Sequence, residues 1–245
     1  MRGRSFAGAP RPINFPAMIR AVIFDLDGTL ADTEPLHYAA FAEVLAAEGI
    51  KLARDEYFSR LIGYNDHDCF QAVLAENGRP AGDDKIRELV ERKAGVYQHM
   101  IENRDVLYPG AADFVRRCAE RFPLMVVTGT LRAEAEMILG RARLRELFFE
   151  VIAAEDVERG KPEPDGFILA LGRFGFMLRQ RPPIDPSECL VVEDTRAGVE
   201  SARRAGMRVL ALMHSAPEDE LSGADVIRPS LADTDLDQVL RALSK

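Results

Sequence analysis

Short, fully apolar runs alternate along the chain with longer segments in which apolar residues recur at helical spacing. Such runs are typical of buried strands, and they predict strands at 21–24, 124–127, 151–154, 190–192 and 209–212, with a short last strand at 225–227. The helical spacing predicts helices near 111–121, 131–147, 165–175, 196–205 and 235–243. Because alternating strands and helices form parallel sheets covered on both faces, the pattern predicts an α/β fold with a doubly wound, Rossmann-like sheet.

Between the first and second predicted strands the pattern is helical throughout. Helical patterns lie at 38–48, 54–61, 66–76 and 83–101. A single crossover between parallel strands does not need so many helices. We therefore predict an α-helical cap domain at residues 33–104, inserted into a core domain formed by residues 19–32 and 105–245. Pro109 and Gly110 are typical of a turn or hinge at the exit from the cap.

The segment before the first predicted strand contains several arginines and no acidic residue. This composition faintly resembles a transit peptide. Because Pro, Gly and Ala are frequent in it, we expect instead a disordered leader over residues 1–18, or a chain that begins at Met18. Residues 179–186, rich in Arg and Pro, predict an exposed loop.

The chain of 245 residues carries a formal net charge of −8 and has a pI near 5.2. An acidic protein without a basic cluster is a poor binder of nucleic acid or of anionic membranes. No apolar stretch approaches the roughly 20 residues that span a bilayer. If the protein handles phosphates, it has to do so through a local cation. We expect a cytoplasmic protein that is a monomer or a weak dimer.

The three cysteines, Cys69, Cys118 and Cys189, are far apart and form no Cys-x-x-Cys pair. This spacing indicates neither a zinc site nor a disulfide framework. Cys118 and Cys189 lie in apolar stretches, so we predict that both are buried thiols in a reducing compartment.

Two acidic residues, Asp25 and Asp27, follow the first predicted strand. Side chains two residues apart face the same side of an extended chain, so both carboxylates should project from the carboxyl end of the strand, where open α/β sheets bind ligands. Gly28 allows the chain to turn away sharply. Paired carboxylates repel each other and repel a phosphate even more, so they favour a bound cation, and Mg²⁺ prefers such oxygen ligands.

The segment around these acids resembles the first signature of the haloacid-dehalogenase superfamily, with the residues Phe24-Asp25-Leu26-Asp27-Gly28-Thr29-Leu30. Three further segments follow in the order that this superfamily shows: Val-Val-Thr-Gly-Thr at 126–130, Gly-Lys-Pro-Glu-Pro-Asp at 160–165 and Val-Val-Glu-Asp-Thr-Arg-Ala-Gly-Val at 191–199. Alone, these segments are typical of a turn, a loop cation and a helix cap. Their joint order makes the resemblance specific, and it covers the chain from about residue 19 onward.

The resemblance implies a Mg²⁺-dependent phosphatase that works through an aspartyl-phosphate. It makes Asp25 the nucleophile and Asp27 the general acid and base. The implied metal ligands are Asp25, Asp27 and Asp194, and Glu193 is implied as an outer or water-mediated partner of the metal. The implied contacts of the phosphoryl group are Thr128, Gly129, Thr130 and Lys161.

Residues 32–37 resemble the hinge of the branch that contains the β-phosphoglucomutase-like and phosphoglycolate-phosphatase-like enzymes, which has a helical cap. By that resemblance, His37 and Lys93 fall at the hinge histidine and the cap lysine of the mutase, while Asp66 replaces the arginine that grips its second phosphate. A carboxylate at that place disfavours a bisphosphate. We therefore favour hydrolysis of a small, sugar-phosphate-like metabolite over a mutase reaction.

Two further expectations concern the cap. Residues 63–66 resemble its substrate-specificity loop, which makes Gly63 and Asn65 predicted substrate contacts. Lys93 belongs to a charged helix face at 88–93, so we expect it to be solvated unless the cap closes over it.

Other functions remain open at this point. The dehalogenase branch lacks the second aspartate, so Asp27 argues against it. The phosphonate-cleaving branch uses a cap lysine as a Schiff base, but neither Lys51 nor Lys93 lies in the apolar sequence setting that such a lysine needs. A non-catalytic phospho-ligand-binding module on the same fold is a further alternative. The joint presence of the predicted nucleophile, acid and base, phosphate-binding lysine and metal ligand argues against it.

Overall fold

Six parallel strands form one sheet within the part of the chain that the computed structural model describes, residues 19–62, 64–102, 104–178 and 183–244. The strands are β1 (Ala21–Phe24), β2 (Leu124–Val127), β3 (Phe148–Ile152), β4 (Cys189–Glu193), β5 (Arg208–Leu212) and β6 (Val226–Arg228). They lie in the order β3-β2-β1-β4-β5-β6, and each neighbouring pair is parallel. The predicted leader at 1–18 and part of the predicted loop at 179–186 lie outside the described residues.

The helices cover both faces of the sheet or form the insertion. They are α1 (Glu34–Ala47), α2 (Arg54–Glu56), continued by a π-helical turn (Tyr57–Leu61), α3 (Asp66–Glu76), α4 (Asp83–Ile101), α5 (Ala111–Ala119), α6 (Arg132–Arg141), α7 (Asp165–Leu178), α8 (Arg196–Arg204) and α9 (Leu236–Leu243). None of these helices combines the length and the apolar character that crossing a membrane requires.

Strand β1 explains why an apolar run without polar residues predicts a central strand. Alternate side chains of a strand point to opposite faces of the sheet. Val22 and Phe24 pack into the hydrophobic cluster on one face, and Ala21 and Ile23 pack into the cluster on the other. Both faces of β1 are therefore buried, and strands β2 and β4 flank it. The strand order reverses beside β1, which is where open α/β sheets form a ligand crevice.

Helices α1, α3 and α4 and the turn after α2 enclose a separate hydrophobic cluster, which contains Phe41, Tyr57, Phe70 and Leu89 among its buried side chains. The chain enters and leaves this insertion through two antiparallel connectors. Asp32 donates its backbone N–H to Val106, and Tyr108 donates to Leu30. The predicted fold, a doubly wound parallel sheet with an inserted α-helical cap, is confirmed, while the domain boundaries stay a prediction.

Most element boundaries lie within three residues of the prediction, and three of the differences have a clear physical reason. The third strand begins at Phe148 and ends at Ile152, because an edge strand tolerates the partly exposed Phe149 and Glu150 that interrupt its apolar run. The helix predicted over 131–147 ends at Arg141, and Arg143 has a positive φ of 53° that a helix cannot contain. The first cap helix begins four residues before the predicted start, with Pro35 in its first turn, where the missing N–H costs nothing.

The three cysteines are buried free thiols, as predicted for Cys118 and Cys189. Burial raises the pKa of each of these two thiols to about 12. Neither group is therefore an activated nucleophile, and both serve as core packing.

Candidate active site

Asp25 and Asp27 extend from the carboxyl end of β1, at the centre of the sheet. The Asp25 N–H continues the strand ladder by donating to Val192 on β4 at 3.0 Å. Gly28 then turns the chain with a positive φ of 77°. A Cβ atom at Gly28 would overlap the Asp194 carboxylate. Glycine is therefore required here both for the backbone conformation and for the close approach of an acid from the next strand.

Three buried acids, Asp25, Glu193 and Asp194, form one group in which each offers an oxygen within 4.8 Å of the others. The Thr29 hydroxyl donates to Oδ1 of Asp194 at 2.7 Å. The other carboxylate oxygen of Asp194, Oδ2, is buried and has no hydrogen-bond partner among the described residues. Burial, reinforced by the neighbouring acids, raises the pKa values of Asp25 and Asp194 well above the usual range. A buried cluster of oxygen ligands with an unpaired oxygen fits a hard divalent cation such as Mg²⁺.

Lys161 supplies a positive charge to this group. Its Nζ atom lies 2.5 Å from Oδ1 of Asp25 and 2.5 Å from Oε1 of Glu193. Burial alone would lower the pKa of this ammonium group, but the two adjacent carboxylates outweigh burial and raise it. Lys161 therefore stays protonated between the carboxylates of Asp25 and Glu193.

Glu193 is held mainly by its own loop. Its Oε2 atom accepts hydrogen bonds from the backbone N–H groups of Asp194 and Thr195, at 2.8 and 2.9 Å, and from the Thr195 hydroxyl at 3.0 Å. A Cβ atom at Gly198, in the first turn of α8, would overlap the Glu193 carboxylate. These contacts fix the turn between β4 and α8, and they aim the other Glu193 oxygen at Lys161.

The Asp27 carboxylate lies apart from the three-acid group and contacts the hinge instead. Its Oδ1 atom accepts from the Thr33 hydroxyl at 2.6 Å and lies 3.3 Å from Nε2 of His37. Its Oδ2 atom accepts from the Thr128 hydroxyl at 3.1 Å. Burial alone would raise the pKa of Asp27, but the contacts with His37 and Thr33 outweigh burial and lower it to about 2. The assignment of Asp27 as a metal ligand stays a prediction.

The loop after β2 brings the predicted phosphate contacts to the same cavity, which Thr128, Gly129 and Thr130 line together with Asp25 and Lys161. The Thr130 N–H donates to the Thr128 hydroxyl oxygen at 3.2 Å, and the Thr130 hydroxyl donates to Glu134 at 2.5 Å. The Thr130 hydroxyl is therefore hydrogen-bonded to a side chain of α6, whereas the Thr128 hydroxyl is hydrogen-bonded to Asp27.

Lys93 is fully buried and not solvated, which is the case that the prediction reserved for a closed cap. Its Nζ atom lies 2.7 Å from Nδ1 of His37 and 3.0 Å from Oδ1 of Asp66, and Glu134 of the core lies 3.9 Å away. Burial lowers the pKa of a lysine, but these carboxylates outweigh it and raise the pKa of Lys93. A charged helix face could not reveal this burial, because the acids that neutralise Lys93 come from other elements.

Asn65 connects the cap to the core loops. Its side chain caps α3 by accepting from the Asp68 N–H at 2.8 Å. A Cβ atom at Gly129 would lie 3.8 Å from the Asn65 backbone, so the predicted specificity loop and the loop with the predicted phosphate contacts are neighbours. Gly63, the other predicted contact in this loop, lies outside the described residues.

Several cavity residues were not predicted from the sequence as substrate contacts. They are Glu34, Phe41, Tyr57, Tyr64, Asp66 and Thr195, of which Tyr64 and Asp66 belong to the predicted specificity loop. One signal could have found two of them. Glu34, His37 and Phe41 are spaced by three and four residues, which places them on one face of α1. Tyr57 gives no such signal, since its position depends on the π-helical turn after α2.

Comparisons with known proteins agree with this geometry. A family described as haloacid dehalogenase-like hydrolase matches residues 19–206. Protein CbbY of Rhodobacter capsulatus is 35% identical over 222 residues, which cover 87% of this chain and 94% of that protein. Fructose-1-phosphate phosphatase YqaB of Escherichia coli is 33% identical over 198 residues, which cover 76% of this chain and 92% of that protein.

A crystal structure of β-phosphoglucomutase from Clostridium difficile superposes with a TM-score of 0.81, covering 92% of this chain and 97% of that one at 19% identity, which shows a shared fold. The family match contains all four motif segments and spans more than half of the chain. The chain therefore belongs to the haloacid dehalogenase-like hydrolase family, as its sequence motifs predicted.

Proposed function

We propose that this protein is a Mg²⁺-dependent phosphatase that hydrolyses a small, sugar-phosphate-like metabolite. One observation carries the proposal: the buried Asp25 carboxylate contacts the Lys161 ammonium, offers an oxygen within 4.8 Å of oxygens of Glu193 and Asp194, and lines a cavity together with Asp27. This arrangement supplies a nucleophile, a fixed cation, an oxygen-rich metal site and a second carboxylate for proton transfer.

The metal site consists of Asp25 and Asp194, with Glu193 as an adjacent acid that Lys161 also contacts. When bound there, Mg²⁺ neutralises negative charge on the acids and on the phosphoryl group. Asp27 keeps the role of a predicted further ligand.

The residues of the chain then divide the reaction into two displacements. An Asp25 oxygen forms a bond to phosphorus as the bond to the leaving alcohol breaks, and Asp27 passes to that alcohol a proton that it receives from the His37 ring, 3.3 Å away. Water next attacks the aspartyl-phosphate, Asp27 takes up its proton, and inorganic phosphate leaves with Asp25 regenerated. Lys161, Thr128 and the Gly129 backbone bind the phosphoryl oxygens and stabilise charge that grows in the transition state.

Two alternatives are less well supported. A phosphonate-cleaving enzyme needs a neutral lysine to form a Schiff base, but Lys93 is a buried cation whose pKa is raised by Asp66 and Glu134. A non-catalytic binding module does not explain why a buried acid, a lysine and a metal-suited acid group converge on one cavity. A cytoplasmic location and a monomeric or weakly dimeric state stay predictions.

The experiment that tests the proposal is the release of inorganic phosphate from a panel of small phosphomonoesters, with Mg²⁺ present and ranked by kcat/KM. The relative YqaB is named for fructose 1-phosphate, so sugar and polyol phosphates belong at the front of the panel. We expect Mg²⁺-dependent turnover of at least one sugar phosphate. No turnover of any member, with Mg²⁺ in excess and the protein folded, would refute the proposal.

A mutase reaction on the same fold gives a distinct prediction. Asp66 occupies the place of a phosphate-gripping arginine, and its carboxylate pairs with Lys93, so that this lysine is not available to bind an anion. A sugar bisphosphate intermediate would therefore be held poorly and hydrolysed or released. With β-glucose 1-phosphate and a trace of glucose 1,6-bisphosphate, we expect free phosphate as the main product. Accumulation of glucose 6-phosphate without matching phosphate release would show that the mutase alternative is right.

A further inference from the structure

The cap side of the active-site cavity contains an acid that the proposed reaction does not use. Glu34 is the first residue of α1, lies only 8% exposed and lines the cavity that contains Asp25 and Lys161. Burial raises the pKa of this carboxyl group. A buried acid at a cavity wall is costly unless it has a partner or a function.

Tyr57 holds this acid in place. The Tyr57 hydroxyl donates to Oε2 of Glu34 at 2.8 Å. The Tyr57 ring packs against Phe41, with 5.8 Å between ring centroids, so the hydroxyl is aimed by a rigid side chain. No other described residue donates a hydrogen bond to the Glu34 side chain. A carboxyl group can accept hydrogen bonds from several donors. Glu34 can therefore accept a further hydrogen bond from a molecule in the cavity.

The neighbouring side chains suit a carbohydrate. The rings of Phe41, Tyr57 and Tyr64 line the same cavity and offer apolar surface beside the acid. Sugars and polyols present both hydroxyl donors and apolar C–H faces, so an acceptor flanked by aromatic rings matches both.

The charges on this wall disfavour a second anion. The basic side chains among the described lining residues are Lys161 and His37. Lys161 contacts Asp25 and Glu193, while His37 contacts Asp27 on one ring nitrogen and Lys93 on the other. A second phosphate or a carboxylate on the substrate would meet Glu34 and Asp66 in place of an available cation.

We propose that Glu34, oriented by Tyr57, accepts a hydrogen bond from a hydroxyl of the leaving group and so selects polyhydroxylated monophosphates that carry no second anionic group. This inference rests on the proposed function, since it assigns the leaving-group side of the same site. Glu34 acts as a specificity-determining residue, and it takes no part in the transfer of the phosphoryl group.

The test compares a sugar monophosphate, fructose 1-phosphate, with p-nitrophenyl phosphate, whose leaving group has no hydroxyl to donate. The measured quantity is the ratio of the two kcat/KM values. Glu34→Gln leaves one acceptor oxygen, which Tyr57 occupies, and turns an N–H donor toward the substrate hydroxyl. We therefore expect this ratio to fall about ten- to a hundredfold, the range for a lost hydrogen bond to a charged group. Glu43→Gln changes an exposed glutamate on the same helix, and it should leave the ratio unchanged.

Tyr57→Phe provides a second variant in case Glu34→Gln destabilises the fold, which thermal denaturation of each variant would reveal. It removes the hydrogen bond that orients Glu34, so the ratio should fall in the same direction by about threefold, since a neutral hydrogen bond contributes less. Wild-type protein should also hydrolyse fructose 1,6-bisphosphate at least about tenfold less efficiently than fructose 1-phosphate.

A fall in kcat/KM by the same factor for both substrates in both variants would assign Glu34 a purely structural role and overturn the inference. A preference of the wild-type protein for the bisphosphate would overturn it as well. Absence of phosphate release by wild-type protein from every substrate would instead contradict the proposed function, and the inference with it.

Discussion

Replacement of Asp25 by asparagine is expected to reduce kcat by about ten-thousandfold or more, the scale of loss when a covalent nucleophile is removed. The amide has the shape of the carboxyl group but cannot attack phosphorus to form the aspartyl-phosphate. Burial already raises the pKa of Asp25, so a neutral side chain at this position is not penalised by desolvation. Lys161 keeps its contact with Glu193 in the variant. We therefore expect a folded and inactive protein.

Steady-state phosphate release, with circular dichroism as the check on folding, measures this effect. Asp113→Asn is the matched control, because Asp113 is an exposed aspartate on α5 that does not line the active-site cavity. The control should retain wild-type kcat. A kcat for Asp25→Asn within tenfold of wild type would contradict the assignment of the nucleophile.

Removal of Mg²⁺ is expected to reduce phosphate release by about a thousandfold or more, since a bound cation supplies several kcal/mol of charge stabilisation in such reactions. Three buried acids offer oxygens within 4.8 Å of one another, and Oδ2 of Asp194 has no hydrogen-bond partner among the described residues. A bound cation would neutralise this negative charge. Excess chelator should abolish turnover, and added Mg²⁺ should restore it. Turnover that survives in excess chelator would refute the metal role.

Asp194→Asn separates the metal site from a general effect of chelator. The variant loses one negative ligand but keeps the shape of the side chain and the Thr29 contact. We expect the Mg²⁺ concentration for half-maximal activity to rise at least about tenfold. An unchanged Mg²⁺ dependence with full activity would place the cation elsewhere.

The site residues that could be predicted from the local sequence pattern are those that directly follow a predicted strand. The carboxyl ends of adjacent parallel strands meet at one edge of a sheet, so Asp25 after β1, Thr128 after β2 and Asp194 after β4 converge once the strands are recognised. Lys161 meets these residues too, although no predicted strand ends directly before it. Only the resemblance to a family indicated this lysine.

The cap side of the site could not be predicted in the same way. The burial of Lys93 depends on Asp66, His37 and Glu134, which come from three other elements. The pairing of Glu34 with Tyr57 depends on how the turn after α2 packs against α1. Both are tertiary contacts between residues that are far apart in sequence, and no helical period encodes them. The conformation of Asp27, whose carboxylate contacts the hinge and not the three-acid group, likewise depends on tertiary contacts.

Glycines mark the places where local sequence and tertiary packing meet. Gly28 was predicted from its need to turn the chain, but its contact with Asp194 adds a second requirement that one strand alone does not show. Gly198 has no unusual backbone requirement of that kind, and its role follows only from the Glu193 carboxylate that lies against it.

The most direct test of the central claim is a rapid acid quench during turnover of a ³²P-labelled phosphomonoester with Mg²⁺ present, followed by peptide mapping of the denatured protein. If Asp25 takes the phosphoryl group, the label resides on the peptide that contains Asp25, is labile in base as an acyl phosphate, and is absent from Asp25→Asn. Active turnover with unlabelled protein under conditions that preserve acyl phosphates, or label on any other residue, would contradict the account.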